Sequence, residues 1–146
     1  LVDMGMDPFN FADALLGILA QRLMRTICPD CKQPYHPEEN EFNHLKKVYG
    51  DLYDDRVGIP YNDEFTLYKP GESCEKCKDT GYRGRRGLYE LLVATDPIRK
   101  AIINRALVEE LKTLAIQEGM IPLMQDGIAK IFEGVADLKQ VKAVCT

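Results

Sequence analysis

Apolar residues return at three- and four-residue intervals along several stretches of this 146-residue chain, and that spacing predicts mostly helices. The first stretch, with Phe11, Leu15, Ile18, Leu19 and Leu23, predicts a helix capped by Asn10 and carrying Asp13 at its third position. It is expected to end near Thr26. A weaker stripe of Phe42, Leu45, Val48 and Tyr49 follows Pro37. Glu38 and Glu39 at its start and Lys46 and Lys47 at its end suit the helix macrodipole. Residues 50–64 read as loop, and residues 65–68 as a short strand stopped by Pro70 and Gly71. Gly81, Gly84 and Gly87 predict a tight turn over residues 81–87, with a second strand over 88–93.

From Asp96 onward the pattern is helical again. Asp96 is a cap, Pro97 takes the first helical position, and Ile98, Ala101 and Ile102 point inward. Val108, Leu111, Leu114 and Ala115 line the next helix, which Gly119 ends. Pro122 opens a third with Ile128, Ile131 and Phe132, stopped by Gly134. Asp137 caps the fourth, whose inward residues are Leu138, Val141 and Val144. These four short helices are expected to share one small core, with Met120 and Met124 filling gaps.

Two cysteine clips change this picture. Cys28-Pro29-Asp30-Cys31 and Cys74-Glu75-Lys76-Cys77 are each C-x-x-C, and four thiolates brought together complete a tetrahedral zinc site. One clip supplies ligands on one side of the metal only, so both are needed. The 42 residues between Cys31 and Cys74 exceed ordinary ribbon spacing and are expected to form a lobe of their own. Loop-closure cost grows slowly with length, which makes such an insert tolerable. Four sulfurs leave no open position, so the zinc reads as structural. Three other readings stand beside it: two disulfides, a redox-active C-x-x-C, and His36 replacing one cysteine. Five cysteines leave one over, Cys145, read as an unpaired thiol.

Composition narrows the classes further. Apolar residues make up 45% and charged residues 29%, the balance of an ordinary globular chain. The net charge of −4 argues against a general nucleic-acid binder. No apolar run approaches the ~20 residues of a membrane-spanning helix. Metal-bound cysteines point to a reducing, cytoplasmic compartment. No residue reads as catalytic: the glycine pattern is neither a dinucleotide fingerprint nor a P-loop, and no Gly-Lys pair occurs. Arg83, Arg85 and Arg86 are candidates for a partner surface, with a solvated turn as the plain alternative.

The order of these signals resembles a known family. The run Gln21-Arg22-Leu23-Met24-Arg25-Thr26-Ile27-Cys28-Pro29-Asp30-Cys31 resembles the first clip of bacterial secretion ATPases, those of type II secretion and type IV pilus assembly. The run from Cys74 through Thr80-Gly81-Tyr82-Arg83-Gly84-Arg85-Arg86-Gly87 to Glu90-Leu91-Leu92 resembles their second clip and its continuation. Met124-Gln125-Asp126-Gly127 with Glu133-Gly134 resembles their helical ending. The resemblance implies a C-terminal piece of a longer protein, whose RecA-like core would carry the ATP and Mg²⁺ site upstream of Leu1. It also implies a homohexamer in the cytoplasm, docked on inner-membrane platform proteins, and leaves open whether Arg22 or Arg25 reaches nucleotide. The expected fold is therefore α+β and mainly helical, a fragment of a RecA-like motor ATPase. Its expected parts are the end of the core over 1–27, a zinc-binding tetracysteine subdomain with a short β-hairpin over 28–93, and a helical subdomain over 94–146. The ATPase belongs to the parent protein, and the fragment alone is expected to be inactive. The rival readings are a free-standing zinc-ribbon adaptor for protein or nucleic acid, and a thiol oxidoreductase.

Overall fold

The computed structural model describes residues 4–145. Among these, the elements in order are α1 (Pro8–Ala14), β1 (Gly17–Ile27), β2 (Gln33–Tyr35), α2 (Glu39–Tyr49), α3 (Tyr53–Arg56), β3 (Leu67–Lys69), β4 (Tyr82–Val93), α4 (Asp96–Ile103), α5 (Val108–Gln117), α6 (Leu123–Phe132) and α7 (Leu138–Cys145). Seven helices thus accompany two small sheets, one pairing β1 with β4 and the other β2 with β3.

The first predicted helix is the largest correction. Asp7, not Asn10, caps α1 by accepting the Phe9 N–H, and Pro8 opens the helix. The helix closes at Ala14, and the chain then runs as a strand to Ile27. Spacing misled because Ile18, Leu19 and Leu23 satisfy a helical stripe by chance, whereas all three are exposed in the strand. What fixes the strand is its partner. The Leu16 carbonyl accepts the Ala94 N–H, and the Thr26 hydroxyl donates to the Arg83 carbonyl, so β1 and β4 run antiparallel.

The expected hairpin turn over residues 81–87 is corrected for the same reason. Residues 82–93 form one continuous strand. The partner that the turn was meant to supply comes instead from β1, far earlier in the chain. Gly84 lies inside β4 with φ of 88°, a conformation that bends a strand at a bulge, and its neighbour there is Thr26.

The chain divides into two compact units, and each of the paired strands β1 and β4 contributes to both. The first draws on residues up to Ala20 and on Tyr89–Pro122. Its core is Ile98, Ala115 and Met120, with Leu92, Ile102, Leu111, Leu114 and Ile116 around them. Arg99 secures α1 in this unit, donating to the carbonyls of Ala12 and Leu15. α5 ends as expected, with Gly119 at φ of 105°.

The second unit draws on Gln21–Leu88 and on the chain from Leu123 onward. Its core mixes Met24 and Leu88 from the ribbon, Phe42, Leu45 and Tyr49 from α2, Tyr53 from α3, Phe65 and Leu67, and Ile128, Ile131 and Val141 from α6 and α7. Edge-to-face ring contacts run through it, Phe42 meeting Phe65 at 5.1 Å and Phe65 meeting Phe132 at 5.6 Å. Buried Gln125 is bonded at both ends: its amide nitrogen donates to the Tyr49 carbonyl, and its oxygen accepts from Arg56. The four late helices therefore do not share one core. α4 and α5 have one, while α6 and α7 join the insert that follows the first clip. Periodicity finds a helix's apolar face but not what that face meets.

Within the second unit, α6 lies so close to α7 that a Cβ at Gly127 would strike the Val141 side chain. Gly127→Ala should therefore overpack this contact and cost about 1–3 kcal/mol in denaturant unfolding. An unchanged midpoint would mean that the two helices are not held this closely.

Candidate metal centre

The first clip begins where β1 stops. Ile27 donates its N–H to the Val135 carbonyl, and Cys28 donates its own to the Gly81 carbonyl. The chain then turns tightly, with Lys32 N–H on the Cys28 carbonyl at 3.0 Å. The second clip is a single 3₁₀ turn over Glu75–Cys77, followed by Lys78 and Asp79, both left-handed. Such backbone is costly without glycine, and local bonds hold it here. Asp79 accepts the Cys74 N–H on its carboxylate at 2.7 Å and donates its own N–H to the Cys74 carbonyl. Thr80 donates both its N–H and its hydroxyl to the Cys77 carbonyl.

These turns bring the four predicted cysteines together. The sulfurs of Cys28, Cys31, Cys74 and Cys77 all lie within 4.8 Å of one another. Cys28 and Cys74 are 4.0 Å apart, and Cys31 and Cys77 are 3.9 Å apart. A tetrahedral zinc with bonds of about 2.3 Å sets its sulfurs about 3.8 Å apart, so the donor set fits. All four are free thiols, not disulfides. The group can hold a metal ion.

The surrounding bonds fit the same purpose. Gly81 donates its N–H to the Cys77 sulfur at 3.3 Å while its carbonyl takes the Cys28 N–H, so one residue touches both clips. Gly71 is packed so closely on Cys31 that a Cβ there would strike the Cys31 carbonyl. The electrostatics differ between thiols. Burial raises Cys31 to about 12, aided by the three neighbouring cysteines. At Cys77 burial also pulls upward, but the Gly81 N–H and the neighbouring thiols prevail and bring it to about 7. Across the clips, Asp30 accepts from Lys76 at 3.0 Å and from Arg83 at 2.7 Å. The Lys76 hydrogen bond leads in holding the Asp30 carboxyl below its usual range.

The other candidates lie elsewhere. His36 stacks on Tyr61 and hydrogen-bonds the Phe65 carbonyl and the Tyr61 hydroxyl, outside the cysteine group. Cys145 packs against the second unit's core. Arg83 and Arg86 pair with Asp30 and Glu133, and Arg85 is exposed on β4. Arg22 and Arg25 are exposed on β1, Arg25 lying 5.3 Å from the centre of the Tyr82 ring. Spacing did not reveal Gly71 and Gly81 as supports of the clips, although their places beside Pro70 and after Thr80 were legible.

The model of the type II/IV secretion system protein family matches residues 1–143. The chain belongs to this family. Among similar members, the type IV pilus assembly ATPase PilB of Thermus thermophilus is 38% identical over 143 residues, covering 98% of this chain and 15% of that protein. The type II secretion system protein E of Dickeya dadantii is 39% identical over 144 residues, 99% of this chain and 26% of that protein. The type II secretion system ATPase E of Vibrio cholerae is 36% identical, with the same coverage. The chain thus spans about a quarter or less of these secretion and pilus family members, both branches matching it about equally.

Proposed function

We propose that this chain is the zinc-binding, C-terminal region of a cytoplasmic motor ATPase that powers type II secretion or type IV pilus assembly. Family membership supports the motor, and the convergence of four sulfurs within 4.8 Å is the single observation that carries the metal. Cys28, Cys31, Cys74 and Cys77 are its ligands. The ion would serve as a structural cross-link, since four thiolates close its coordination. In this reading residues 1–27 end a RecA-like core, residues 28–93 are the metal subdomain, and residues 94–146 are the helical end. The parent works as a homohexamer on an inner-membrane platform and binds ATP and Mg²⁺ with residues outside this chain.

The purified chain should carry about one zinc, with metal–sulfur distances near 2.3 Å by X-ray absorption. Metal-free protein with two disulfides would overturn the assignment. In isolation it should neither hydrolyse ATP nor bind a non-hydrolysable analogue with Mg²⁺ in calorimetry, because phosphoryl transfer needs a phosphate cradle and metal ligands. Micromolar affinity would mean that this region holds a nucleotide site of its own.

A further inference from the structure

The four sulfurs differ in how far a small molecule can reach them. Cys28 and Cys77 are buried, at 0% and 6% exposure, whereas Cys31 and Cys74 are half-buried. The contacts across the clips join unlike members. Half-buried Cys74 lies 4.0 Å from buried Cys28, and half-buried Cys31 lies 3.9 Å from buried Cys77. Each contact sets a sulfur that solvent touches against one that it barely reaches. Two-step thiol oxidation needs such a pair, an accessible sulfur to react first and a close partner to resolve it.

Protein contacts oppose these sulfurs as well as any ion would. Asp30 in the first clip accepts from Lys76 in the second at 3.0 Å, and from Arg83 at 2.7 Å. The Gly81 carbonyl, just beyond the second clip, accepts the Cys28 N–H at 2.9 Å. The bonds between Cys74 and Asp79 close the second clip on itself.

We infer that the cysteine group is also an oxidation site for hydroperoxides, at which Cys28 joins Cys74 and Cys31 joins Cys77 as the zinc is released. The inference rests on the zinc reading above. At each pair the half-buried thiolate, Cys74 or Cys31, attacks one oxygen of the peroxide. The O–O bond breaks, hydroxide leaves and takes a proton, and a sulfenic acid remains. The buried partner's thiolate then displaces that oxygen as a second hydroxide, which is also protonated, and the S–S bond forms. Two thiolates have lost two electrons, and one peroxide has gained them. Both pairs together take up two peroxides and four protons and yield two disulfides and four waters.

The oxidised chain differs from one stripped of metal. The cysteines of each pair are 46 positions apart, so both bonds close the long loop that carries the insert. Such cross-links act chiefly by restricting the unfolded chain, and more so for longer loops. The insert therefore stays closed with no ion in it. Disulfides within the clips, Cys28 to Cys31 and Cys74 to Cys77, would leave the lobe open. A dithiol reductant restores the thiols by exchange.

The test uses the reduced, zinc-loaded Cys145→Ser chain, which keeps only the four cysteines of the group. Titration with hydrogen peroxide should release one zinc and consume four thiols for every two peroxides. Peptide mapping should find Cys28 joined to Cys74 and Cys31 joined to Cys77. Amide protection over 28–88 and 123–145 should stay close to that of the zinc form, whereas chelation lowers it. Dithiothreitol with zinc should return the starting form. Disulfides within the clips, sulfonic acids in place of disulfides, zinc retained in excess peroxide, or protection lost as under chelation would each overturn the inference. A reduced chain that holds no zinc before peroxide is added would overturn the metal reading, and this inference with it.

Discussion

Replacing Cys28 or Cys77 by serine should unfold the second unit while leaving the first folded. Metal binding to a structural site is folding free energy, roughly 10–16 kcal/mol at neutral pH for small zinc domains. That matches or exceeds the whole stability of an ordinary domain, about 5–15 kcal/mol. The clips bracket the insert, whose Phe42, Leu45, Tyr53 and Phe65 share a core with Ile128, Ile131 and Val141. Loss of the site should therefore reach α6 and α7 as well as the insert. α4 and α5 keep the separate cluster of Ile98, Ala115 and Met120. Amide exchange decides this: protection should fall over residues 28–88 and 123–145 and persist over 96–117, and chelation of wild type should give the same map. Equal loss over 96–117 would show that the two units unfold as one. Cys145→Ser, outside the cysteine group, should leave the metal in place.

How much of this could be read from the sequence depended on how local the signal was. The clips were legible because two pairs of thiols at fixed spacing carry their chemistry without any neighbour. The late helices were legible because they carried their own end signals, as with the stops Gly119 and Gly134 in left-handed backbone and the start Asp137 accepting the Gln140 N–H. β1 was not, because a strand is made by its partner, and the partner lies more than fifty residues away. β2 and β3 failed or shifted for the same reason: each is three residues long and defined by pairing such as Pro34 with Tyr68. The exposed Leu19 and Leu23 misled in another way. Apolar spacing marks a surface that wants cover, and in this chain part of that surface is open. The role of Gly81 was hidden because spacing shows a turn but not the two clips that the turn joins.

Gly81→Ala should loosen the metal centre although it removes no ligand. Gly81 is buried at φ of 78°, where a side chain is strained, and a Cβ there would also meet the Pro70 side chain. The left-handed backbone alone costs about 1–2 kcal/mol. The contact adds to it and pushes the strand entry away from the first clip. That movement acts on two bonds at once, the N–H to the Cys77 sulfur and the carbonyl that takes the Cys28 N–H. Partners of this kind set ligand orientation, and losing them typically costs 10–100-fold in metal affinity. Gly84→Ala separates the two effects, since Gly84 has a similar φ of 88° but meets only the Thr26 hydroxyl, away from the cysteines. Zinc competition against a chromophoric chelator should show the loss of affinity for Gly81→Ala, with Gly84→Ala close to wild type. Equal weakening by both would assign the effect to ribbon strain, and no weakening by Gly81→Ala would mean that the thiols hold their geometry without this residue.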